Sequence, residues 1–141
     1  MKEAKLRRFG VSMETPLLKA FDRVIGRRGY KTRSEAIRDL VRQELVRSQW
    51  EAGTEEVAAT LTLVYDHTSH DLTHHLTETQ HRHLGAIQSA LHLHLNERYC
   101  LEVVVLRGKP AQVRKIADSL ISTRGVVHGE LVSTTLAKTL T

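Results

Sequence analysis

An α+β chain, with a small βαα segment followed by a βαββαβ domain, is the fold class that the 141-residue sequence predicts. Three observations lead there. Apolar residues recur with a period near 2 or near 3.6 in the order strand, helix, helix, strand, helix, strand, strand, helix, strand. Charge is divided: residues 1–50 hold 13 Lys and Arg against 6 Asp and Glu, whereas residues 51–141 hold 8 against 10. Histidine is divided the other way, with all nine between His67 and His128. Two compositions imply two tasks, one directed at a polyanion and one at metal or proton chemistry.

With 40% hydrophobic and 26% charged residues, the chain suits one or two small domains rather than a disordered tail. No apolar run approaches the roughly 20 residues that span a bilayer, and residues 1–10 lead into no signal-type stretch. A cytoplasmic protein without membrane contact is expected. Cys100, the one cysteine, has no intrachain disulfide partner. Six aromatic residues argue against a surface that stacks single-stranded bases.

Residues 6–13 alternate, with Phe9, Val11 and Met13 on one face and Arg8, Gly10 and Ser12 on the other, which predicts one half-buried strand. Thr15 at the N-cap, Pro16 at the first helical position and the stripe Leu17, Leu18, Phe21, Val24, Ile25 predict a helix that stops at Gly29. Thr32-Arg33-Ser34-Glu35 is a capping box, and Ala36, Ile37, Leu40, Val41 and Leu45 continue a second helical stripe. So small a segment cannot bury its own apolar faces, and a lone strand leaves its backbone unpaired. Antiparallel pairing with the strand of a second chain solves both problems and makes a ribbon that fits the DNA major groove.

With Gly29-Tyr30-Lys31-Thr32-Arg33-Ser34-Glu35-Ala36-Ile37-Arg38-Asp39 at its centre, residues 6–47 resemble the ribbon-helix-helix transcription factors. The resemblance implies that Arg8, Gly10 and Ser12 face the bases and that the start of the second helix, around Arg33 and Ser34, binds a phosphate through its amides and dipole. Gly10 departs from the Thr or Ser usual at that position. Either one base contact is absent there or the backbone approaches the DNA more closely.

A Gly and a change of charge over residues 50–56 place the domain boundary near residues 51–56. Val57 to Tyr65 alternates as a strand, and residues 70–87 carry Leu72, Leu76, Leu84 and Ile87 at mostly helical spacing. Strands over residues 89–95 and 100–107 flank a turn containing Asn96 and Glu97; a helix with Val113, Ile116, Ala117, Leu120 and Ile121 precedes a strand near residues 127–135. This order is the split β-α-β arrangement, an antiparallel sheet covered on one face by two helices.

Leu91-His92-Leu93-His94-Leu95 sends three leucines to one face and two histidines to the other. Imidazoles two apart on a strand, roughly 6–7 Å along it, can converge on one ion. Cys100 returns toward them across the turn, and a thiolate with two imidazoles is a transition-metal set unsuited to Mg²⁺ or Ca²⁺. The bland alternatives are a wet polar sheet face and a small buried thiol. Three ligands leave a fourth unassigned, for which Gln80-His81-Arg82-His83 offers candidates.

Thr79-Gln80-His81, Leu91-His92-Leu93-His94, Cys100-Leu101-Glu102 and Arg124-Gly125-Val126 together resemble the nickel-responsive repressor family NikR, so that the likeness covers nearly the whole chain. It implies a ribbon-helix-helix domain (1–50), a linker (51–56), a ferredoxin-like or ACT-like nickel-binding and tetramerisation domain (57–136) and a tail (137–141). It also implies one Ni²⁺ per subunit, held in a square plane by His92, His94 and Cys100 of one subunit and His81 of another. The homotetramer, a dimer of dimers, would bind a palindromic double-stranded operator, typically of nickel-uptake genes, with the metal biasing its DNA-competent arrangement.

Weaker expectations attach to other residues. His83 is a secondary metal candidate or plain surface. Glu102 shares a face with Cys100, which suits a role in orienting a ligand. Glu35 and Asp39 lie one turn apart, where capping and surface pairing suffice, although the resemblance allows a further cation. Tyr65 and His67 support the metal region or simply end a strand. His70, His74 and His75 are read as solvated helix surface. A metalloenzyme is disfavoured because no general base accompanies the ligands. A ribbon-helix-helix regulator that senses a small molecule stays open.

Overall fold

The computed structural model describes residues 5–138 and residue 140. Its elements are α1 (Thr15–Arg27), α2 (Arg33–Ala52), β1 (Val57–Asp66), α3 (His70–Arg82), β2 (Ile87–His94), β3 (Tyr99–Gly108), α4 (Pro110–Ile121) and β4 (Val126–Ser133). Two compact units share the chain, one running to Leu45 with Ala137 onward, the other Val46–Leu136.

In the first unit the two expected helices form. Gly29 adopts φ +81° just past α1, a conformation that only glycine takes without strain. The capping box forms in part: Thr32 Oγ1 accepts from the Glu35 amide at 3.2 Å. Arg33 bridges the helices, donating through Nε and Nη2 to both Asp22 oxygens at 2.8 Å. At the front of α1, Glu14 takes the N-cap position and Thr15 is already helical; no side chain caps that end. The strand expected over residues 6–13 is absent, residues 5–14 being irregular. A strand exists only through a ladder, and the single chain offers this segment no neighbour. Phe9, Val11, Leu17, Val24, Leu40, Val41 and Leu45 are all exposed, while Ile25 and Ala36 are buried. The unit thus leaves much of its apolar surface uncovered.

The second unit is a four-stranded sheet in the order β2-β3-β1-β4. Every neighbouring pair is antiparallel. Strict alternation along β1 buries Val57, Ala59, Leu61, Leu63 and Tyr65; with Cys100, Val104 and Leu106 of β3 they join Leu72 and Leu76 of α3 and Val113, Ile116 and Leu120 of α4 in one core. The last turn of α2 enters this core through Trp50, whose indole N–H donates to the Thr134 carbonyl at 2.8 Å. Gly125, at φ +99°, lets the chain pass Leu72 so closely that a Cβ there would lie 2.7 Å from Leu72 Cδ2. Leu91, Leu93, Leu95 and Val105 remain exposed on the other side of the sheet.

The helix expected over residues 70–87 is shorter than its stripe. α3 ends at Arg82, a turn closes where the Ala86 and Ile87 amides both donate to the His83 carbonyl at 2.8 Å, and Ile87 opens β2. Leu84 is exposed, so its helical spacing was coincidental. Gly85 and a following strand that must pair with β3 outweigh a four-point stripe.

Candidate metal centre

Register assembles the centre. His94 of β2 and Tyr65 of β1 both lie opposite Cys100 of β3, and His92 lies opposite Glu102. All five side chains therefore gather on the sheet face toward which the alternation directs them. β2 is the edge strand, so its imidazoles are exposed while the thiol beside them is buried.

Cys100 Sγ and His94 Nδ1 are 3.3 Å apart. Bonds of about 2.1 Å to nitrogen and 2.3 Å to sulfur put adjacent ligands of one ion roughly 3.1–3.6 Å apart for angles between 90° and tetrahedral, so the pair has the spacing of two ligands on a shared metal. His67 completes a triad: one donor atom from each of His67, His94 and Cys100 falls within 4.8 Å of the others. The His67 ring nitrogen Nδ1 lies 2.8 Å from the Arg98 carbonyl. A carbonyl only accepts, so Nδ1 carries the proton and Nε2 keeps its lone pair, the tautomer that metal-binding histidines are usually given by such a partner. Asp66 anchors the same corner through Arg98 at 2.8 Å and through the Thr68 amide and hydroxyl, and these bonds hold its carboxyl down at about 2.

His92 stands beside the triad, its ring 5.2 Å from that of His94. Its Nδ1 is 3.0 Å from the Tyr65 hydroxyl. Burial first, then the charge and hydrogen bond of Glu102, keeps the Tyr65 phenol protonated far above its ordinary range. Which of the Tyr65 hydroxyl and His92 Nδ1 donates in this contact depends on the His92 tautomer. Glu102 is buried and accepts from Gln80 Nε2 at 2.9 Å. Burial and the Glu102 charge push the Cys100 thiol up, so the thiolate needs a cation beside it.

His81 is exposed and His83 half-buried at the end of α3; neither joins the triad within one chain. His67 was the residue least visible in the sequence, yet it continues the inward alternation 57, 59, 61, 63, 65 by one step, and that phase was its signal.

In the other unit, Arg8, Gly10 and Ser12 are exposed, and Arg7, Arg8, Ser34 and Arg38 line one groove. Ser34 stands open at the start of α2, while the Arg33 guanidinium is engaged by Asp22. Asp39 is held by Tyr30 and Arg42, both at 2.9 Å, and half-buried Glu35 shares a concavity with Asp39, Lys31, Arg38 and Arg42.

A basic helical module and a sheet domain with a soft donor set together suit a metal-dependent DNA-binding regulator, and the comparisons with known proteins agree. Residues 7–48 match the ribbon-helix-helix protein, copG family, and residues 58–134 match the NikR C terminal nickel binding domain. The chain belongs to the NikR family of nickel-responsive regulators, with a ribbon-helix-helix domain followed by a βαββαβ α+β domain. A relative from Geobacter metallireducens, provisionally named a nickel-responsive regulator, is 54% identical over 94% of this chain and 96% of its own. One of the same name from Thermococcus onnurineus is 51% identical over 96% and 99%. An uncharacterized Thermotoga maritima protein shares the fold at TM-score 0.51 and 18% identity, over 56% of this chain and 98% of its own.

Proposed function

We propose that this chain is a nickel-dependent DNA-binding repressor, acting in the cytoplasm on a palindromic operator of nickel-uptake genes. The observation that carries the reading is the Cys100–His94 pair at 3.3 Å, with His67 and His92 beside it, inside a domain matched to a nickel-binding family. Sulfur with imidazole suits a transition metal over Mg²⁺ or Ca²⁺, and the match to a nickel-binding family domain selects Ni²⁺ among them. When bound, the ion supplies a positive charge that stabilises the buried thiolate and joins side chains from different chains.

His92, His94 and Cys100 of one subunit and His81 of another hold one Ni²⁺ per subunit in a homotetramer, a dimer of dimers. Tyr65 holds the His92 ring through its Nδ1 and Glu102 lies beside them; His67 orients toward the same ion, and His83 and the pair Glu35 and Asp39 are secondary candidates. The DNA domain spans residues 1–50, the linker 51–56, the regulatory domain 57–136 and the tail 137–141. Arg8, Gly10 and Ser12 face base edges from a two-chain ribbon, and the α2 amides at Arg33 and Ser34 hold a phosphate. The exposed apolar faces of both units support pairing of chains, and the basic first unit supports a polyanionic partner. Nickel switches DNA affinity only as far as it binds the DNA-competent arrangement more tightly, and DNA must tighten nickel binding by the same factor.

Selection from random DNA duplexes with Ni²⁺ and with chelator tests this. A palindrome enriched only with Ni²⁺ is expected. Equal enrichment of the same sequence in chelator would overturn nickel control.

A further inference from the structure

The C-terminal end of α2 is built into the sheet domain. Its 20 residues, Arg33–Ala52, contain neither Gly nor Pro, so nothing in the sequence breaks or kinks the helix. Gly53, at φ +68°, then stops it, its amide donating to the Gln49 carbonyl at 3.1 Å. The helix begins in the first unit, and its last part, from Val46 onward, belongs to the second. Val46 and Trp50, four residues apart and so on one helix face, both pack into the sheet-domain core.

Trp50 is held there by more than burial. Its indole N–H donates to the Thr134 carbonyl at 2.8 Å, and the Arg114 guanidinium of α4 lies over the ring, 5.3 Å from the centroid. One residue earlier, Gln49 Oε1 accepts from the Thr135 hydroxyl at 2.9 Å. The Thr134 amide donates in turn to the Ala58 carbonyl at 2.9 Å, which ties this stretch to the start of β1. Burial of an apolar ring fixes how deeply a helix end sits; a directed hydrogen bond and a cation over one ring face also fix its rotation about the helix axis. A segment that merely joins two domains runs through solvent and needs no such anchor.

We propose that Trp50 is the positioning residue through which the sheet domain acts on α2, so that nickel control of DNA binding depends on its seat between Thr134 and Arg114; this rests on the nickel-switched reading above. A rearrangement that shifts α4 or the exit of β4 carries the end of α2 with it. An unanchored end would leave α2 indifferent to which arrangement the metal favours, and a ligand controls a distant site only through a difference between arrangements that the site feels. Trp50 is not among the nickel donors, so it acts on the coupling and leaves metal binding itself intact.

The coupling factor, the ratio of operator Kd in chelator to operator Kd in Ni²⁺, tests this on the full-length protein with the duplex selected as above. Trp50→Phe keeps an apolar ring in the core and loses the N–H; it is expected to lower the factor by about 3–30-fold. Nickel affinity without DNA, read by chelator competition, is expected to stay within about twofold. Arg114→Gln takes the cation off the ring and leaves the indole bond in place, and it is expected to lower the factor at least about twofold, which decides the matter should Trp50→Phe fail to fold. Ile116→Val, a trim at a 2% exposed position of the same core, is the control for simple destabilisation: it should lower the melting temperature and keep the factor. An unchanged factor in either folded variant, or an equal fall in Ile116→Val, would overturn the proposal alone. A wild-type protein whose operator affinity ignores Ni²⁺ would overturn the nickel-switched reading, and the proposal with it.

Discussion

Tyr65→Phe takes one oxygen from the protein and leaves a ring that is 1% exposed in its place. That oxygen lies 3.0 Å from His92 Nδ1. Without it His92 Nδ1 loses its hydrogen-bond partner and the ring is free to turn. Losing a supporting partner of this kind typically lowers metal affinity about 10–100-fold, which is about 1.4–2.8 kcal/mol at 1.4 kcal/mol per decade. Chelator competition at fixed pH reads the affinity, and a thermal melt checks that the fold survives. Tyr65→Phe in a His92→Ala background should cost little more than His92→Ala alone, because the hydroxyl acts through that ring. Nickel affinity within about twofold of wild type in a folded Tyr65→Phe protein, or fully additive losses in the double variant, would refute the assigned route.

Other expectations follow from the same structure. Leu63→Ala, at a fully buried position of β1, should cost about 2–5 kcal/mol in denaturant unfolding; a loss below about 1 kcal/mol would contradict its place in the core. Gly125→Ala should destabilise by more than about 1 kcal/mol, because a Cβ at φ +99° meets Leu72 at 2.7 Å; an unchanged melting temperature would show that the corner relaxes freely. The Asp66 carboxyl should titrate at about 2 by NMR instead of at the ordinary 3.8, since Thr68 and Arg98 favour its charged form. A lowered folded pKa means that its contribution is present above the unfolded value and disappears as pH falls toward about 2, so the His67 corner should loosen there; a midpoint near 4 would dissolve the clasp. Arg8→Ala should lose about 1–3 kcal/mol on the selected operator and far less on random duplex, whereas equal losses on both would demote Arg8 to a phosphate contact.

Both helices of the first unit and the alternation of β1 were legible because each is a local pattern carried by many residues. Gly29 and Thr32 act as their chemistry demands, one by taking a positive φ and the other by capping an amide. The end of α3 was not legible: Leu84 and Ile87 fit a helical stripe, and only the pairing of β2 with β3, a long-range relation, decides otherwise. The strand expected over residues 6–13 from alternation does not form, because alternation gives a segment two faces but no neighbour to pair with in the single chain. In the metal centre, His92, His94 and Cys100 announce themselves by type and spacing. The Tyr65–His92 and Gln80–Glu102 contacts do not, since their members come from different elements brought together by long-range packing. His67 lay between these cases: its phase was visible, but its tautomer depends on a carbonyl 31 residues away in sequence.

A nickel centre built on the Cys100 and His94 donors that governs DNA binding is tested by titrating the metal-free protein with Ni²⁺ while following the ultraviolet-visible spectrum and operator binding in one sample. One ion per chain is expected, with thiolate-to-metal charge-transfer bands rising in step with DNA affinity. Bands that saturate while DNA affinity stays constant, or no thiolate bands at all, would contradict it.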